Sequence, residues 1–258
     1  MKLCPRPRGM GPQSALRRSV ETYFAPGRDA ALDAFHARFL GPGDLGFDVG
    51  AHVGDRAASF RRLGARAVAV EPQPGLMRVL RLLFRGDEGV TLVPALVGAA
   101  PGRAVLRLNT RNPTVATASG DFVAAAGGAA GWEGQEWDRE IPRPVTTLDA
   151  LAAEHGAPDF IKLDVEGFEA EALAGLLSAP RALSFEFTTI QRGVAAACLA
   201  RLAALGPYRF NACLGESMEL AHPAPLGAEA MRGWIEALPH AANSGDVYAA
   251  LDPARITP

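Results

Sequence analysis

The sequence predicts an α/β fold in which a mostly parallel, seven-stranded sheet carries helices on both faces. Short apolar runs alternate with amphipathic stretches of helical period from residue 45 to residue 205. A glycine-containing turn follows the first apolar run, in the segment FDVGAHVGD. Strands and helices that alternate in this way form right-handed βαβ units, whose strands are parallel.

The predicted elements are short and closely spaced. We expect strands at residues 45–49, 67–70, 90–93, 103–108, 160–163, 182–187, 208–214 and 246–251. We expect helices at residues 29–40, 56–63, 74–84, 147–155, 168–177 and 194–205. Seven strands would form the main sheet, and the eighth would be an extra edge strand. A long connection separates the last two strands, which favours an antiparallel C-terminal pair.

The chain is expected to contain one domain with a short extension. Residues 1–40 would form an N-terminal extension and a helix that caps the edge of the sheet, and residues 41–258 would form the domain. Residues 109–144 have little periodicity and contain Trp132 and Trp137. A segment this long without regular structure is usually functional or disordered. We therefore expect either a lid over a substrate or a disordered insertion, in which the tryptophans stack on a ligand or anchor the loop.

Composition and charge narrow the class of protein. The 258 residues carry a net charge of -2 and no run of about 18 apolar residues, so neither nucleic acid nor a membrane is an expected partner. Cys4, Cys198 and Cys213 are odd in number and widely spaced, which is typical of free thiols in a reducing compartment. We expect a cytoplasmic protein that acts on a small molecule, and we predict no particular oligomeric state.

The turn FDVGAHVGD has the features of a Rossmann-like site for a nucleoside-bearing cofactor. Asp48 ends the strand, and Gly50 and Gly54 precede a helix whose N-terminus offers unpaired N–H groups. The spacing lacks the GxGxxG that binds a pyrophosphate, so the cofactor is expected to carry no phosphate. Glu71 ends the next strand, 21 residues after Gly50, where a carboxylate can accept both hydroxyls of a ribose.

A second acidic motif lies in the segment DFIKLDVEGFEAEAL, residues 159–173. Asp164 falls at the carboxyl end of the predicted strand, where open α/β sheets bind ligands. Lys162 lies on the same face of that strand. Because an unpaired lysine is costly inside a buried strand, we expect Lys162 to pair with Asp164 or Glu186.

These motifs occur in a recognisable order. FDVGAHVGD, VEPQP, TLDAL and FIKLDVEGFEAEALAG, followed by a strand with Glu186, resemble the FkbM family of S-adenosylmethionine-dependent methyltransferases. The resemblance covers residues 41–187, with a weaker match at residues 245–251, and the run IKLDVEG is its most specific part. It implies a class I methyltransferase fold, S-adenosylmethionine as cofactor, and O-methylation of a hydroxyl on a small metabolite, sugar or polyketide-like product.

The resemblance also implies roles for individual residues. The implied cofactor-binding residues are Asp48, Gly50, His52, Gly54, Glu71, Pro72 and Asp164. Among these, Asp48 and Gly50 would line the methionine end, Glu71 would hold the ribose, and Asp164 would lie beside the transferred methyl group.

The candidate catalytic residues overlap with the cofactor-binding residues. The candidate catalytic residues are Asp164, Lys162 and His52, with Asp164 or His52 as the base. The candidate substrate-binding residues are Glu166, Glu186, Trp132 and Trp137. The family commonly has Asn in place of His52. This histidine therefore either keeps the positional role of that Asn or adds a titratable group to the site.

Other functions remain open on sequence alone. An NAD-dependent oxidoreductase would use the same sheet and ribose carboxylate, although the missing middle glycine counts against it. A metal-assisted methyltransferase would use Asp164, Glu166 and Glu186 as oxygen ligands for Mg²⁺, whereas the preferred interpretation assigns no metal. A binding module without turnover would require an incomplete active site, and none of the quoted motifs is incomplete.

Overall fold

The computed structural model describes residues 12–258, with side chains from Ala15 onward. The ten strands in this part of the chain are β1 (Leu45–Val49), β2 (Arg66–Val70), β3 (Val90–Val93), β4 (Leu96–Val97), β5 (Gly102–Leu108), β6 (Arg139–Thr146), β7 (Phe160–Leu163), β8 (Ala182–Thr188), β9 (Arg209–Leu214) and β10 (Ser244–Ala250). Its nine α-helices are α1 (Pro12–Tyr23), α2 (Arg28–His36), α3 (Asp55–Arg62), α4 (Pro74–Leu83), α5 (Gly120–Ala126), α6 (Leu148–His155), α7 (Glu169–Ala174), α8 (Arg192–Leu205) and α9 (Ala228–Ala237).

The main sheet has seven strands in the order β3-β2-β1-β7-β8-β10-β9. Neighbouring strands are parallel from β3 to β8, and β10 runs antiparallel to both β8 and β9. The predicted mostly parallel sheet with an antiparallel C-terminal pair is confirmed. The chain order reverses between the neighbours β1 and β7, and the carboxyl ends of these strands therefore border the crevice in which such sheets bind ligands.

Both faces of the main sheet are buried, which explains why its strands are nearly continuous apolar runs. In β2, Val68 and Val70 pack into a core cluster with α6, α7, α8 and α9. The alternate residues Ala67 and Ala69 pack into a second cluster with α2, α3 and α4. Because successive side chains of a strand point to opposite faces, this division confirms helices on both sides of the sheet.

The predicted strand at residues 103–108 does not belong to the main sheet. Residues 102–108 form β5 in a separate three-stranded sheet of order β4-β6-β5. Its partner β6 falls partly inside residues 109–144, so the disordered interpretation of that segment is wrong. Pro142 and Pro144 hid this strand, because proline is rare in paired strands. Both prolines face β5, whereas β6 pairs with β4 only at Val145 and Thr146, so neither proline interrupts a two-sided ladder.

Helix α2 covers a face of the sheet rather than its edge, which corrects the prediction of an edge-capping helix. The helix ends at His36, and Phe39 in the following turn stacks on Phe160 of β7 and Tyr248 of β10, with ring centroids 4.6 and 5.6 Å apart. Phe35 meets Tyr248 edge to face at 4.9 Å. The aromatic side chains therefore fix α2 over the middle of the sheet.

Three helices carry no clear signal in the sequence. These are α1, α5 and α9, and the alanine in α5 and α9 fits either face of a helix and so weakens the periodicity. Cys198 and Cys213 are buried free thiols, as predicted, and Cys4 lies outside the described residues. None of the helices within residues 12–258 is long and apolar enough to cross a lipid bilayer.

Candidate active site

Asp48 lies near the end of β1 and fixes the start of α3. Its side chain is buried, and its Oδ2 accepts a hydrogen bond from the backbone N–H of Ala57 at 3.0 Å. Burial raises the pKa of Asp48 to about 7, with a smaller contribution from Asp55. The strand register places Asp48 directly beside Lys162 of β7, so the two predicted site strands present these residues at the same level.

The two glycines of the first turn have different roles. Gly50 has a φ of 84°, and a Cβ at this position would overlap the backbone carbonyl oxygen of Asp164. The turn after β1 therefore packs directly against the loop after β7. Gly54 has a φ of 88° at the start of α3, and a Cβ there would crowd Leu80 of α4. Gly54 therefore allows α3 to begin and to pack against α4. It does not line the cavity that opens beside this turn.

His52 occupies a left-handed backbone position with a φ of 50°. Its N–H donates to Oε2 of Glu71 at 3.0 Å, and its ring meets Tyr23 edge to face at 5.0 Å. Burial lowers the pKa of His52 to about 4, so the imidazole is neutral at neutral pH and is a weak base. Asn and His both tolerate left-handed backbone, which favours a positional role at this residue.

Glu71 follows β2 and closes the other side of the same turn. It is buried, and its two oxygens accept one backbone N–H each, Oε2 from His52 at 3.0 Å and Oε1 from Gln73 at 2.7 Å. Burial raises the pKa of Glu71 to about 8. Each oxygen keeps a further lone pair, so the carboxylate is oriented and still able to accept two hydroxyls. Pro72, next in the chain, lines the cavity that opens beside this turn.

Lys162 is paired, as expected, but with a second partner that the sequence did not suggest. Its Nζ donates to Oδ1 of Asp246 at 2.6 Å and to Oδ2 of Asp164 at 3.2 Å. The alternative partner, Glu186, forms no ion pair with it. Lys162 reaches past β8 to Asp246 on β10, and the residue beside Lys162 on β8 is the small Ser184. Asp246 lies in the segment GDVYAAL, whose weaker match to the family was the signal in the sequence that could have indicated this partner.

The charge state of Lys162 follows from these partners. Burial alone would lower its pKa, but Asp164 and Asp246 outweigh burial and raise the pKa above its usual value. The ammonium group is therefore charged and held in place. Asp164 itself has a side chain that is 31% exposed, which leaves it accessible from the crevice.

Three carboxylates converge at the carboxyl ends of β7 and β8. One oxygen each from Asp164, Glu166 and Glu186 lies within 4.8 Å of the others. Glu169 holds the loop that carries Glu166, because its Oε1 accepts two backbone N–H groups of that loop at 3.0 and 3.3 Å. Burial, reinforced by Asp164, raises the pKa of both Glu166 and Glu186 well above the usual range.

Two cavities open at this end of the sheet. The first encloses about 810 Å³, including its open mouth, and its wall contains Asp48, Gly50, His52, Glu71 and Pro72. The second has about 630 Å³, also including its open mouth, and its wall contains Trp132, Glu186, Thr188, Asn243 and Asp246. The residues common to both walls are Tyr23, Thr114, Asp164, Glu166 and Glu216. The two cavities are therefore neighbours that meet at the ends of β7 and α1.

An ion-pair network under the shared wall was missed by sequence reasoning. Glu216 binds Arg28 and Arg56 at 2.6 Å each, and Arg56 also binds Asp55 at 2.7 Å. Burial alone would raise the pKa of Glu216, but Arg56 and Arg28 outweigh it and lower the pKa to about 2. Arg56 adjoins the motif FDVGAHVGD, whereas Glu216 and Arg28 stand in no motif. Tyr23 packs over both arginines, with guanidinium carbons 5.2 and 5.8 Å from its ring centroid.

The two tryptophans anchor residues 109–144 on a small core of their own. Trp132 is buried against Phe122, with ring centroids 5.1 Å apart, and it also lines the second cavity. Trp137 packs on Phe122 at 6.1 Å, and its Nε1 donates to the carbonyl of Val115 at 2.8 Å. Of the two, only Trp132 lies in a cavity wall.

The chain matches a protein-family model. The family model described as the methyltransferase FkbM domain matches residues 48–196. No curated protein sequence matches the chain.

Solved structures also resemble the chain. Methyltransferase FkbM from Methylobacillus flagellatus KT is 14% identical with a TM-score of 0.49; the match covers 92% of this chain and 58% of that one. A TehB-like SAM-dependent methyltransferase from Corynebacterium glutamicum is 13% identical with a TM-score of 0.48, and the match covers 93% and 97% of the two chains. A putative O-methyltransferase from Klebsiella pneumoniae is 10% identical with a TM-score of 0.45, and the match covers 97% and 92%.

Proposed function

We propose that this chain, which belongs to the FkbM methyltransferase family, transfers a methyl group from S-adenosylmethionine to a hydroxyl of a small molecule. The acceptor class is a hydroxylated metabolite, sugar or polyketide-like product. The observation that carries the proposal is the wall shared by the two cavities, because it contains Asp164 at the carboxyl end of β7. A donor in the first cavity and an acceptor in the second would meet at this carboxylate.

The residues of the first cavity fit S-adenosylmethionine better than a dinucleotide. Glu71 keeps two free lone pairs for a ribose, and the wall contains Val70, Leu96 and Leu106, which suit a flat base. The basic side chains in the wall are Arg56 and Lys162, and both are already paired with carboxylates. No basic side chain of this wall is therefore left to balance a pyrophosphate, and the turn lacks the GxGxxG whose N–H groups bind one, which together count against the NAD-dependent alternative.

The proposed contacts with this cofactor come from three residues of the first cavity. Glu71 would accept the ribose hydroxyls, and Asp48 and Gly50 would line the methionine end. When bound, S-adenosylmethionine supplies an activated methyl group on a sulfonium. The remaining work of the protein is to orient the acceptor oxygen and to remove its proton.

Asp164 is the proposed base for the acceptor hydroxyl. It is accessible from the crevice, and it borders both cavities. Lys162 donates to Asp164 and Asp246 together, so it acts as a positioning residue that fixes the direction of the Asp164 carboxylate. His52 is the weaker candidate because it lines the first cavity alone, whereas Asp164 borders both cavities.

Transfer of labelled methyl groups tests this function. The protein is incubated with methyl-labelled S-adenosylmethionine and a panel of hydroxylated sugars and metabolites, and the labelled atom is located by NMR. We expect the label on an oxygen, and we expect Asp164→Asn to lower turnover by about 10²- to 10⁴-fold. The affinity for S-adenosylhomocysteine should change far less.

A matched variant controls for a general loss of acidic charge. Glu171 is an exposed residue of α7 outside both cavity walls, and Glu171→Gln should keep full turnover. A label found on nitrogen or carbon would contradict O-methylation. Unchanged turnover in Asp164→Asn would remove Asp164 from the mechanism.

A further inference from the structure

We propose that Asp164, Glu166 and Glu186 form a binding site for one divalent cation of the Mg²⁺ or Mn²⁺ type. One carboxylate oxygen from each lies within 4.8 Å of the other two. Oxygens bound to one ion at about 2.1 Å lie about 3–4.2 Å apart, so small side-chain rotations would bring the three onto a common ion. The ligand set contains only oxygen, which suits Mg²⁺ or Mn²⁺ rather than Zn²⁺.

Glu166 supplies a second and independent indication of a bound group. Its residue is 7% exposed, it lies in the walls of both cavities, and its carboxylate has no hydrogen bond or ion pair within residues 12–258. Oε2 of Glu186 is likewise shielded from solvent and has no hydrogen-bond partner there. Buried carboxylates are normally paired or bound to a metal. Glu166 therefore lacks the partner that its burial requires, and the shielded Oε2 of the half-buried Glu186 lacks one as well.

The neighbouring basic residues do not supply that partner. Lys162 is engaged by Asp164 and Asp246, and it is bonded to neither Glu166 nor Glu186. Arg56, which also lines the first cavity, is engaged by Asp55 and Glu216. Glu166 and Glu186 are thus left without a bonded cation after these pairs are formed. A divalent cation between the three carboxylates would be bonded to both.

The role of the ion rests on the proposed function, because it places the ion where the acceptor oxygen would lie. Three protein oxygens leave coordination positions open in an octahedral ion. Those positions adjoin the wall between the two cavities, so the hydroxyl of the acceptor can occupy one of them. A coordinated hydroxyl loses its proton more readily than a free one, and Asp164 would take that proton on the carboxylate oxygen that does not bind the ion. The ion would then both orient and activate the acceptor.

Direct titration with Mn²⁺ tests the site without any acceptor. The full chain is titrated with Mn²⁺ alone, and bound ion is measured by the loss of the free Mn²⁺ signal in electron paramagnetic resonance. We expect one ion per chain, displaced by Mg²⁺. Glu166→Gln and Glu186→Gln should each weaken binding about tenfold or more, since each removes a charged ligand. Glu171→Gln, on the exposed face of α7, should bind as the parent does.

The outcomes separate the site from the function. Thermal unfolding first checks that each variant is folded. Asp164→Asn is the third variant that lacks one of the proposed ligands. Absence of binding at about 1 mM Mn²⁺, or equal binding in the parent and all three ligand variants, would overturn the cation site. Methyl transfer that persists undiminished in EDTA would overturn the role of the ion while leaving the O-methyltransferase intact. Tight Mn²⁺ binding without methyl transfer to oxygen would retain the site and contradict the proposed function.

Discussion

His52 illustrates how one backbone position limits the choice of side chain. Its φ of 50° suits Asn and His but not a β-branched residue, and its N–H bonds to Glu71 whatever the side chain is. We predict that His52→Asn keeps both turnover and its pH profile. His52→Val should instead lower the free energy of unfolding by about 1–3 kcal/mol, because the left-handed conformation is strained for valine.

Steady-state kinetics from pH 5 to 9 and urea unfolding measure these two effects. His52→Asn removes the imidazole, which is titratable, and leaves the turn intact. A large fall in turnover with unchanged binding of S-adenosylhomocysteine would therefore assign His52 a catalytic part and contradict its positional role.

Residues next to strand ends were the predictable part of the site. Asp48, Gly50, Glu71 and Asp164 all stand at or just beyond the carboxyl end of a recognisable apolar strand, and all line the first cavity. Asp246 could not be found this way, since its contact with Lys162 joins residues 84 apart in the sequence. Such pairs depend on strand order, which the local pattern does not contain.

At the scale of elements, α2 is joined to α3 by a buried polar contact. His36 is 3% exposed, and its Nδ1 lies 2.9 Å from Oγ of Ser59. Burial, reinforced by Arg56, lowers the pKa of His36 to about 3. The helix pair therefore forms around a neutral imidazole.

This burial predicts a specific dependence of stability on pH. Between the unfolded pKa of about 6.5 and the folded pKa, only the unfolded chain takes up a proton on His36, so stability is lost as pH falls. As the pH falls from 6 to 4, the free energy of unfolding should decrease in both proteins or in the parent alone. The decrease per pH unit should be about 1.4 kcal/mol larger in the parent than in His36→Gln. Urea unfolding at several pH values measures this difference. Parallel curves for the two proteins would show that His36 titrates normally in the folded chain.

The segment of residues 109–144 could not be predicted correctly, because its structure depends on contacts outside the segment and on an unusual strand. Pro113, Thr114, Ala116 and Ala118 complete the wall of the first cavity. Strand β6 carries two prolines where it has one neighbouring strand. Trp132 and Trp137 share one small core, yet one alone reaches a cavity. Local periodicity does not distinguish these two environments.

The two tryptophans therefore form a matched pair for testing the acceptor side. Trp132→Phe should raise KM for the acceptor several-fold, because it reshapes the wall of the second cavity. Trp137→Phe should leave KM unchanged and lower the free energy of unfolding by about 1 kcal/mol, because the carbonyl of Val115 loses its donor. Kinetics and unfolding on both variants measure this. Equal effects on KM would contradict the placement of the acceptor in the second cavity.

At the scale of the whole molecule, the order of the sheet places the two cavities side by side. The reversal between β1 and β7 opens the first cavity, and the antiparallel β10 brings Asp246 to the second. The sheet and its parallel part were predictable from alternating apolar runs. The position of the second cavity was not, because it requires α1, residues 109–144 and the turn after β9 to meet around Asp164.

Calorimetric titration with S-adenosylhomocysteine and with NAD tests the central claim most directly, since it asks which cofactor occupies the first cavity. We predict that the parent protein and Glu171→Gln bind S-adenosylhomocysteine and not NAD. Glu71→Gln, checked for folding by thermal unfolding, should lose about 10- to 100-fold in affinity because its side chain has one oxygen instead of two to accept the ribose hydroxyls. Tighter binding of NAD than of S-adenosylhomocysteine, or unchanged affinity in Glu71→Gln, would contradict the account.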